Sequence, residues 1–523
     1  MDSMLERCEN LKKLDLSKFN NKSLMSMIRM FYSCINLEIL ILPNNFCTNK
    51  ITNLDSLFRN CHKLNSIDLS KFDTSSVTNM EYMFSYCKNI ASFDFSKFNT
   101  TKVETMSHMF EYCSNIISLD LSNFYTFNVL NMDSMFSNCI NLEYINTKIE
   151  IVEESQIEVI TEIICFSLHL LGLKNKEECK KSYASTLEIY NFQTLNVKYM
   201  QSMFRSCTNI KSIDLSHFDT SSVENIEYMF SDCSNLKLIN ISGINTSLVT
   251  NMNGLFQGCT NLMNIDFSLF KTYSLKTIRN IFQNCNINLI EQSKNFDISN
   301  VEDISYMFQS CKDLISFDLS NLKISSVKYM EGIFDDCSNL QSVIIKNELI
   351  SNVISMNRIF QGCTSLQSID LSNLRATSLQ SINLMFCNCY NLISVNLNNF
   401  DAPLISDMSY MFYSCANLRS IDLNNFKTDS LINMGHLFEN CHSLSFINLS
   451  NFDTSKVIDM SYMFHSCIGL SSVYFSNLNL SSLERIDHLF DNCQNLISVN
   501  LNDFEAPKVG DMSYMFYSCV SLK

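Results

Sequence analysis

The sequence has few of the residues that usually separate domains. It contains 3 prolines and 9 glycines among 523 residues, and no Pro-rich or Ser/Gly-rich stretch indicates a linker. Long apolar runs are also missing: hydrophobic residues make up 46% of the chain, but Ser, Asn and Asp interrupt them too evenly for a membrane span. The same content is too apolar for a disordered chain, so we expect a folded protein with a hydrophobic core.

Clusters of basic residues are lacking as well. The net charge is -15 and the isoelectric point is near 5.0, whereas nucleic acids and anionic membranes attract surfaces with grouped Lys and Arg. We therefore expect no nucleic-acid partner and no direct membrane insertion of this segment. The first residues, MDSMLERCENLKKLDLS, contain no basic region followed by an apolar one, so no signal peptide is visible.

What the chain does have is a regular column of cysteines. Of its 23 cysteines, 19 follow a spacing of 26 residues that is broken twice, between Cys34 and Cys61 and between Cys139 and Cys207. The nine residues DMSYMFYSC occur at 407–415 and again at 511–519, four such repeats apart. A period of about 20 to 50 residues is typical of a solenoid. We call each repeat a rung.

One rung, CHKLNSIDLSKFDTSSVTNMEYMFSYC (61–87), divides into two parts. The alternation in IDLS (67–70) predicts a strand with one buried face. The apolar residues of VTNMEYMFSYC (77–87) fall on one stripe of a helix. The sequence therefore predicts an α/β repeat: a leucine-rich-repeat solenoid with parallel concave strands, short convex helices, about 26 residues per rung and nearly twenty rungs in all.

The repeat pattern divides the chain into three parts. Rungs fill 1–146, starting within a rung, and 186–523, stopping within a rung. Between them, 147–185 is predicted to be a helical insert that replaces one convex segment, with a longer helix at 153–172. This helix is either a decoration packed on the solenoid or a projection that binds a partner. Because neither end has a polar capping repeat, we expect the chain to be a piece of a longer array.

The candidate reactive residues fit a structural role better than catalysis. One Cys per rung at an apolar position indicates buried free thiols, and zinc would need closely spaced Cys pairs. The histidines form no H-E-x-x-H or triad-like grouping. A solenoid repeats like residues in columns, whereas a catalytic site needs unlike residues to converge. We therefore expect no enzyme activity, no cofactor and no metal.

The concave strand face is the leading candidate for a binding site. A Ser-x-Asp-x-Ser pattern projects from it, opposite the buried Ile and Leu residues. It is either a solvated face whose polar residues satisfy one another, or an acidic, hydrogen-bonding groove for a basic or polar macromolecule. The predicted contact residues are Ser66, Asp68, Ser70, Ser92, Asp94, Ser96, Ser118, Asp120, Ser122, Ser212, Asp214, Ser216, Ser316, Asp318, Ser320, Ser368, Asp370, Ser372, Ser420 and Asp422.

A second column of larger polar side chains lies beside the predicted Met-Phe core. Its members are tyrosines, and either packing between neighbouring rungs or an aromatic binding ridge would explain them. They are Tyr82, Tyr228, Tyr306, Tyr410, Tyr462 and Tyr514.

The repeat resembles the BspA-like leucine-rich-repeat surface proteins, including the mycoplasma type with 26-residue repeats. The segments at 61–87 and 441–467 carry that signature almost in full. The resemblance implies a cell-surface or secreted protein, displayed outside the cell, that adheres to a protein or glycoprotein ligand, and it supplies no catalytic residues. The alternative is a cytoplasmic scaffold for protein–protein interaction.

Overall fold

The computed structural model describes most of the chain in two compact units. It describes residues 1–19, 24–44, 46–146, 186–188, 194–216, 218–286, 290, 296–345, 350–423, 426–474, 478–499 and 505–523. Unit 1 is Met1–Ser274 and unit 2 is Leu275–Lys523. The predicted insert at 147–185, with its helix at 153–172, lies outside the described residues.

Unit 1 contains short parallel strands that pair rung by rung. Strand β1 pairs with β2, β3 with β4, and β6 with both β5 and β7. The strands are β1 (Lys13–Asp15), β2 (Ile39–Ile41), β3 (Ser118–Asp120), β4 (Tyr144–Asn146), β5 (Thr186–Glu188), β6 (Ser212–Asp214) and β7 (Leu238–Asn240). Two single-turn 3-10 helices follow the strand position in other rungs, Leu69–Lys71 and Phe267–Leu269.

Unit 2 repeats this arrangement. Strand β8 pairs with β9, β10 with β11, and β13 with both β12 and β14, all in parallel. The strands are β8 (Ser316–Asp318), β9 (Ser342–Ile344), β10 (Ser368–Asp370), β11 (Ser394–Asn396), β12 (Phe446–Asn448), β13 (Ser472–Tyr474) and β14 (Ser498–Val499). A 3-10 helix, Leu319–Asn321, follows β8.

The predicted strands with one buried face are confirmed. Ile369 of β10 pairs with Val395 of β11, which lies 26 residues later. Both side chains are buried, and the residues on either side of each are exposed. Identical spacing therefore places like residues next to each other in neighbouring rungs.

The structure does not confirm the short convex helices, because the described segments in their place are chains of tight turns. In the rung that ends at Cys87, Met83 N–H bonds Met80 C=O at 3.3 Å and Cys87 N–H bonds Phe84 C=O at 3.0 Å. The third residue of each turn has a left-handed backbone, with φ of 53° at Tyr82 and 61° at Tyr86. This is the geometry of type II turns, and a right-handed helix cannot contain it. We call these stretches the turn segments.

Hydrogen bonds between rungs explain why turns form here. Within the turn segment of residues 80–87, Tyr82 N–H bonds Ser107 C=O at 3.0 Å and Phe84 N–H bonds Met109 C=O at 3.0 Å. Alternate N–H groups are thus used by the next rung, where an α-helix would direct them to its own preceding turn. Turns also place residues three apart on one side, so the sequence identified the buried residues correctly but assigned them to the wrong element.

The predicted number of rungs, nearly twenty, is not confirmed. The described residues form a parallel solenoid of about 16 turns at a spacing of about 26 residues. The ladder of the turn segments, however, passes from Asn131 directly to Tyr199, which is 68 residues later.

The core between strands and turn segments is built from columns of like residues. One Phe per rung stacks on the next, as in Phe58–Phe84 at 5.8 Å and Phe84–Phe110 at 5.9 Å between ring centroids. The methionines of the turn segments, such as Met80 and Met83, are fully buried as well. These contacts are between rungs, so each rung obtains its core from its neighbours.

Candidate functional site

Most predicted contact residues lie on the exposed face of the strands, which we call the strand face. Ser118 and Asp120 of β3 and Ser368 and Asp370 of β10 are exposed on either side of a buried residue. Ser66 with Asp68, Ser92 with Asp94 and Ser420 with Asp422 hold the same position in rungs without a regular strand there. One predicted residue does not belong to an accessible surface, because Ser212 is only 5% exposed.

Aspartates on the strand face close the tight turns that follow them. Asp94 Oδ1 accepts a hydrogen bond from Ser96 N–H at 2.9 Å, and Asp370 Oδ1 accepts one from Ser372 N–H at 2.9 Å. Hydrogen bonds from these serines, first from the side chain and then from the backbone, lower the pKa of both aspartates. The same N–H bond forms at Asp68, Asp120, Asp214 and Asp318.

These aspartates therefore have a local structural role besides any role in binding. Where the repeat has Asn, the turn is closed in the same way, as at Asn240 with Ser242 N–H at 3.1 Å and Asn448 with Ser450 N–H at 3.0 Å. An Asx turn needs the side-chain oxygen and not the charge. The negative charge of the strand face is thus separable from its fold.

The acidic residues form one continuous run and several isolated positions. Asp68, Asp94 and Asp120 occupy three consecutive rungs of unit 1. In unit 2 the corresponding column alternates, with Ile344 between Asp318 and Asp370. Ile344 is 52% exposed. Among the strand positions that the structure describes, three acidic rungs in succession therefore occur at residues 68–120.

The sequence interpretation missed an aromatic pair on the strand face of unit 2. Phe446 begins β12 and Tyr474 ends β13, and their rings meet edge to face with centroids 5.3 Å apart. They are 42% and 55% exposed. Phe446 lies five residues after Cys441 and Tyr474 lies seven residues after Cys467, the same offsets as the Ser and Asp positions of the repeat. This spacing is the sequence signal that places both rings on the strand face.

The tyrosine column pairs rung with rung in several places. Tyr82 stacks on His108 with ring centroids 4.3 Å apart, and Tyr410 stacks on His436 at 4.2 Å. Tyr228 instead lies under the guanidinium of Arg205, 5.2 Å from the ring centroid. Packing between rungs thus occupies the ring faces here, which favours the structural interpretation of this column over a binding ridge.

The cysteine column is buried and unreactive in character. Cys139 is fully buried, and its thiol donates to Phe110 C=O at 3.1 Å. The same S–H bond to the preceding rung recurs, for example from Cys87 to Phe58 at 3.2 Å. Burial raises the pKa of the Cys139 thiol to about 12, so it remains protonated at neutral pH. Buried cysteines of the column, such as Cys87 and Cys139, are free thiols, as the sequence predicts.

A groove of about 670 Å³ in unit 2 lies away from the strand face. Glu302 lies between Lys328 at 2.8 Å and Lys276 at 3.4 Å along its wall, and small polar residues such as Asn300 and Ser326 complete it. The groove contains none of the predicted contact residues. Within the described ranges, no group of three His, Cys, Asp or Glu side chains could hold a metal ion.

A family of sequences matches nearly the whole chain. The family described as "Mycoplasma protein of unknown function, DUF285" matches residues 1–42, 36–150, 176–293, 276–400, 354–448, 380–472 and 434–523. This match confirms the resemblance to the mycoplasma type of BspA-like repeat. No curated protein matches the chain. Among the described residues, no helix has the length and apolar character needed to cross a membrane.

Solved structures similar to the chain include bacterial leucine-rich-repeat proteins. One from Bacteroides ovatus is 22% identical with a TM-score of 0.34, covering 61% of this chain and 86% of that one. A leucine-rich cell surface protein from Faecalibacterium prausnitzii is 16% identical with a TM-score of 0.31, covering 60% and 78%. One from Eubacterium ventriosum is 15% identical with a TM-score of 0.31, covering 77% and 83%.

Proposed function

The chain belongs to the Mycoplasma protein family of unknown function DUF285, and we propose that it is a non-enzymatic module that binds a protein partner through the strand face. The observation that carries this proposal is the column of exposed Ser and Asp side chains that continues from rung to rung. A repeated, exposed and hydrogen-bonding surface suits an extended macromolecular contact better than a small substrate.

The chemistry of the strand face indicates the kind of partner. In unit 1 the run of Asp68, Asp94 and Asp120 offers three carboxylates in consecutive rungs, which favours a basic segment of a protein or glycoprotein. In unit 2 the exposed rings of Phe446 and Tyr474 stand among small polar residues. An aromatic anchor within a polar surround is the usual composition of a binding hot spot. We further propose that the protein acts at the cell surface as an adhesion module.

The test removes charge from the strand face without disturbing its turns. The variant carries Asp68→Asn, Asp94→Asn and Asp120→Asn, because Asn closes the same turn elsewhere in the chain. The matched control carries Glu104→Gln, Glu224→Gln and Glu484→Gln, three exposed acids outside the strand face. A random peptide library is selected on the wild-type chain, and the enriched peptides are titrated against all three proteins.

We expect the enriched peptides to be basic and to bind the Asn variant at least tenfold more weakly, with little change for the control. Loss of one charge contact typically costs about 1–3 kcal/mol when it is well formed. Equal binding to wild type and the Asn variant would contradict the proposed role of the acidic run. Circular dichroism of the three proteins checks that the fold is retained.

A further inference from the structure

Three histidines and two acids form a continuous chain across three consecutive rungs of unit 2. The imidazole Nδ1 of His436 contacts a carboxylate oxygen of Glu439, and His465 Nδ1 lies 3.3 Å from the other oxygen of that carboxylate. His465 Nε2 lies 3.8 Å from Asp491 Oδ2, which also lies 2.7 Å from His488 Nδ1. The order of groups is thus imidazole, carboxylate, imidazole, carboxylate, imidazole. We call these five side chains the histidine chain.

The surroundings of the histidine chain restrict its access to water. The side chains of Glu439 and Asp491 are 12% and 11% exposed, and those of the three histidines are between 21% and 26% exposed. The His436 ring lies between Tyr410 at 4.2 Å and Tyr462 at 4.8 Å. The His488 ring lies between Tyr462 and Tyr514 at 4.3 and 4.6 Å. With their ring faces covered, the imidazole edges are directed to the carboxylates.

Other charged and titratable groups near the histidine chain are mostly acidic. Arg485 is paired with Asp459 at 3.0 Å and lies 3.8 Å from Asp487, so its positive charge is already compensated. Asp511 faces His488. Further titratable neighbours are the phenols of Tyr410, Tyr413, Tyr462, Tyr514 and Tyr517, and the thiols of Cys467, Cys493 and Cys519 near Glu439 and Asp491. Counting the neighbours, five carboxylates and one guanidinium surround three imidazoles. At His465, a negative field of this kind favours the imidazolium form.

Protonation of His465, the central residue of the histidine chain, changes the number of N–H donors that it offers to the two carboxylates. A neutral imidazole has one N–H donor, whereas an imidazolium has two. His465 directs Nδ1 to Glu439 and Nε2 to Asp491, so the neutral ring can donate to only one of them. Protonation places a second N–H and a positive charge opposite Asp491, and at 3.8 Å this adds an ion pair that completes the bridge between the rungs. The hydrogen bond that His465 donates to Glu439 is the main cause that raises the pKa of His465, and burial opposes it.

We propose that the histidine chain is an acid-strengthened clasp that holds the turn segments of residues 434–493 together. When His465 is protonated, its positive charge lies between the carboxylates of Glu439 and Asp491 and joins the three rungs. As the pH rises through the pKa of His465 in the folded chain, that charge is lost, the bridge is incomplete, and these turn segments open more readily. The device is independent of the proposed function, since it lies on the turn segments and contains no residue of the strand face.

Hydrogen exchange of backbone amides tests the clasp in the intact chain. The reporters are Phe438 N–H, bonded to Met463 C=O at 2.9 Å, and Phe464 N–H, bonded to Leu489 C=O at 3.0 Å. The internal controls are Phe360 and Phe386, which make the same bonds elsewhere in unit 2 at 3.0 and 2.8 Å in rungs without histidine at these positions, so that a pH effect common to the whole unit cancels. After correction for intrinsic exchange, we expect the reporters to be at least tenfold better protected at pH 5.5 than at pH 8.5, relative to the controls.

A substitution of His465 tests whether its imidazole causes the pH dependence of amide protection. His465→Gln keeps one N–H donor but cannot be protonated, so we expect the pH dependence at Phe438 and Phe464 to disappear. The control is His62→Gln, which changes a histidine whose pKa is lowered by burial. It should leave the pH dependence at Phe438 and Phe464 unchanged. A pH dependence that persists in His465→Gln, or its absence from the wild type, overturns the clasp.

A measurement on the wild-type chain covers the case in which the variant does not fold. The ring resonances of His465 are followed by NMR as a function of pH. We expect its titration midpoint to lie above the ordinary value of about 6.5. A midpoint at or below that value overturns the proposal, because the ring would then gain no stabilisation from its two carboxylates.

Discussion

At the scale of single residues, two backbone positions in each turn segment are left-handed. Most rungs place Ser, Asn, Tyr or His there, which costs some strain because a Cβ atom disfavours positive φ. Four glycines occupy such positions without that cost, Gly254, Gly258, Gly332 and Gly362, with φ between 55° and 69°. At Gly254 the absence of a Cβ has a second consequence, since one added there would lie 2.2 Å from the ring of Tyr228.

We predict that Gly254→Ala destabilises unit 1 by about 1–3 kcal/mol, through strain at positive φ and displacement of the Tyr228 ring. Thermal or urea unfolding measures the change. Gly510→Ala is the control, because an added Cβ there has nothing within 4 Å. A similar effect of both substitutions would show that the close approach of Tyr228 has no energetic importance.

Asp335 has a buried carboxyl group whose surroundings disfavour its charged form. Its residue is 3% exposed, Oδ2 accepts from Gln309 Nε2 at 2.9 Å, and Oδ1 is buried without a hydrogen-bond partner. Burial, together with the neighbouring Asp336 charge, raises the pKa of Asp335 to about 6. Such a group destabilises the folded state above its unfolded pKa, and the penalty grows until the pH passes the folded value.

We therefore predict that Asp335→Asn stabilises unit 2 by about 1–3 kcal/mol at pH 7.5 and has little effect at pH 4, where the carboxyl is already neutral in the fold. Unfolding curves at the two pH values provide the measurement. Asp313→Asn, at an exposed acid, is the control. A gain of equal size at both pH values would be inconsistent with a charge penalty at Asp335.

At the scale of elements, side chains that bond the backbone of the next rung hold the solenoid together between strand and turn segment. Thr100 is fully buried, and its hydroxyl donates to Tyr125 C=O at 3.0 Å and accepts from Tyr125 N–H at 2.7 Å. Thr74 does the same for Asn99. One side chain thus satisfies both backbone groups of a residue in the neighbouring rung.

We predict that Thr100→Val lowers the free energy of unfolding by about 1–3 kcal/mol, because the similar shape fills the space but removes both hydrogen bonds between the Thr100 hydroxyl and the backbone of Tyr125. Thr101→Val is the control, since Thr101 is exposed. Chemical denaturation of both variants measures the difference. If the two lose equal stability, the hydroxyl of Thr100 is not the cause.

At the scale of the whole molecule, each unit is held together by contacts between neighbouring rungs. The hydrogen bonds of the turn segments, the stacked Phe rings and the S–H bonds of the cysteine column all join residues of adjacent rungs. Stability in such an array is approximately a sum over rungs and their interfaces. The register between rungs matters more than their number.

We predict that removing one complete rung, residues 88–113, leaves unit 1 folded with a modest loss of stability. Phe84 would then stack on Phe136 in place of Phe110, in the same register. Removing half of it, residues 88–100, shifts every later residue out of its column and should abolish cooperative unfolding. Far-UV circular dichroism and thermal melts compare the two deletions, and equal behaviour would contradict the dependence on register.

Much of this arrangement could be predicted from the sequence because the repeat aligns equivalent residues. The spacing of Cys87 and Cys113 identified the rung, and the pattern around Ile67 and Val77 identified which side chains are buried. The exposed Ser and Asp positions followed from the alternation within strands. The aromatic pair of Phe446 and Tyr474 was missed because these two residues replace the Ser and Asp that most rungs have at their positions.

The sequence by itself determined the period, the buried columns and the polar face, because these depend on local alternation and on the spacing between like residues. Only the tertiary structure decided that the turn segments are turns, since their N–H groups bond carbonyls that lie 25 residues away in the chain, as from Tyr82 to Ser107. It also decided that Ser212 is buried and that His465 lies between Glu439 and Asp491. Those outcomes depend on contacts between rungs, which no stretch of sequence contains within itself.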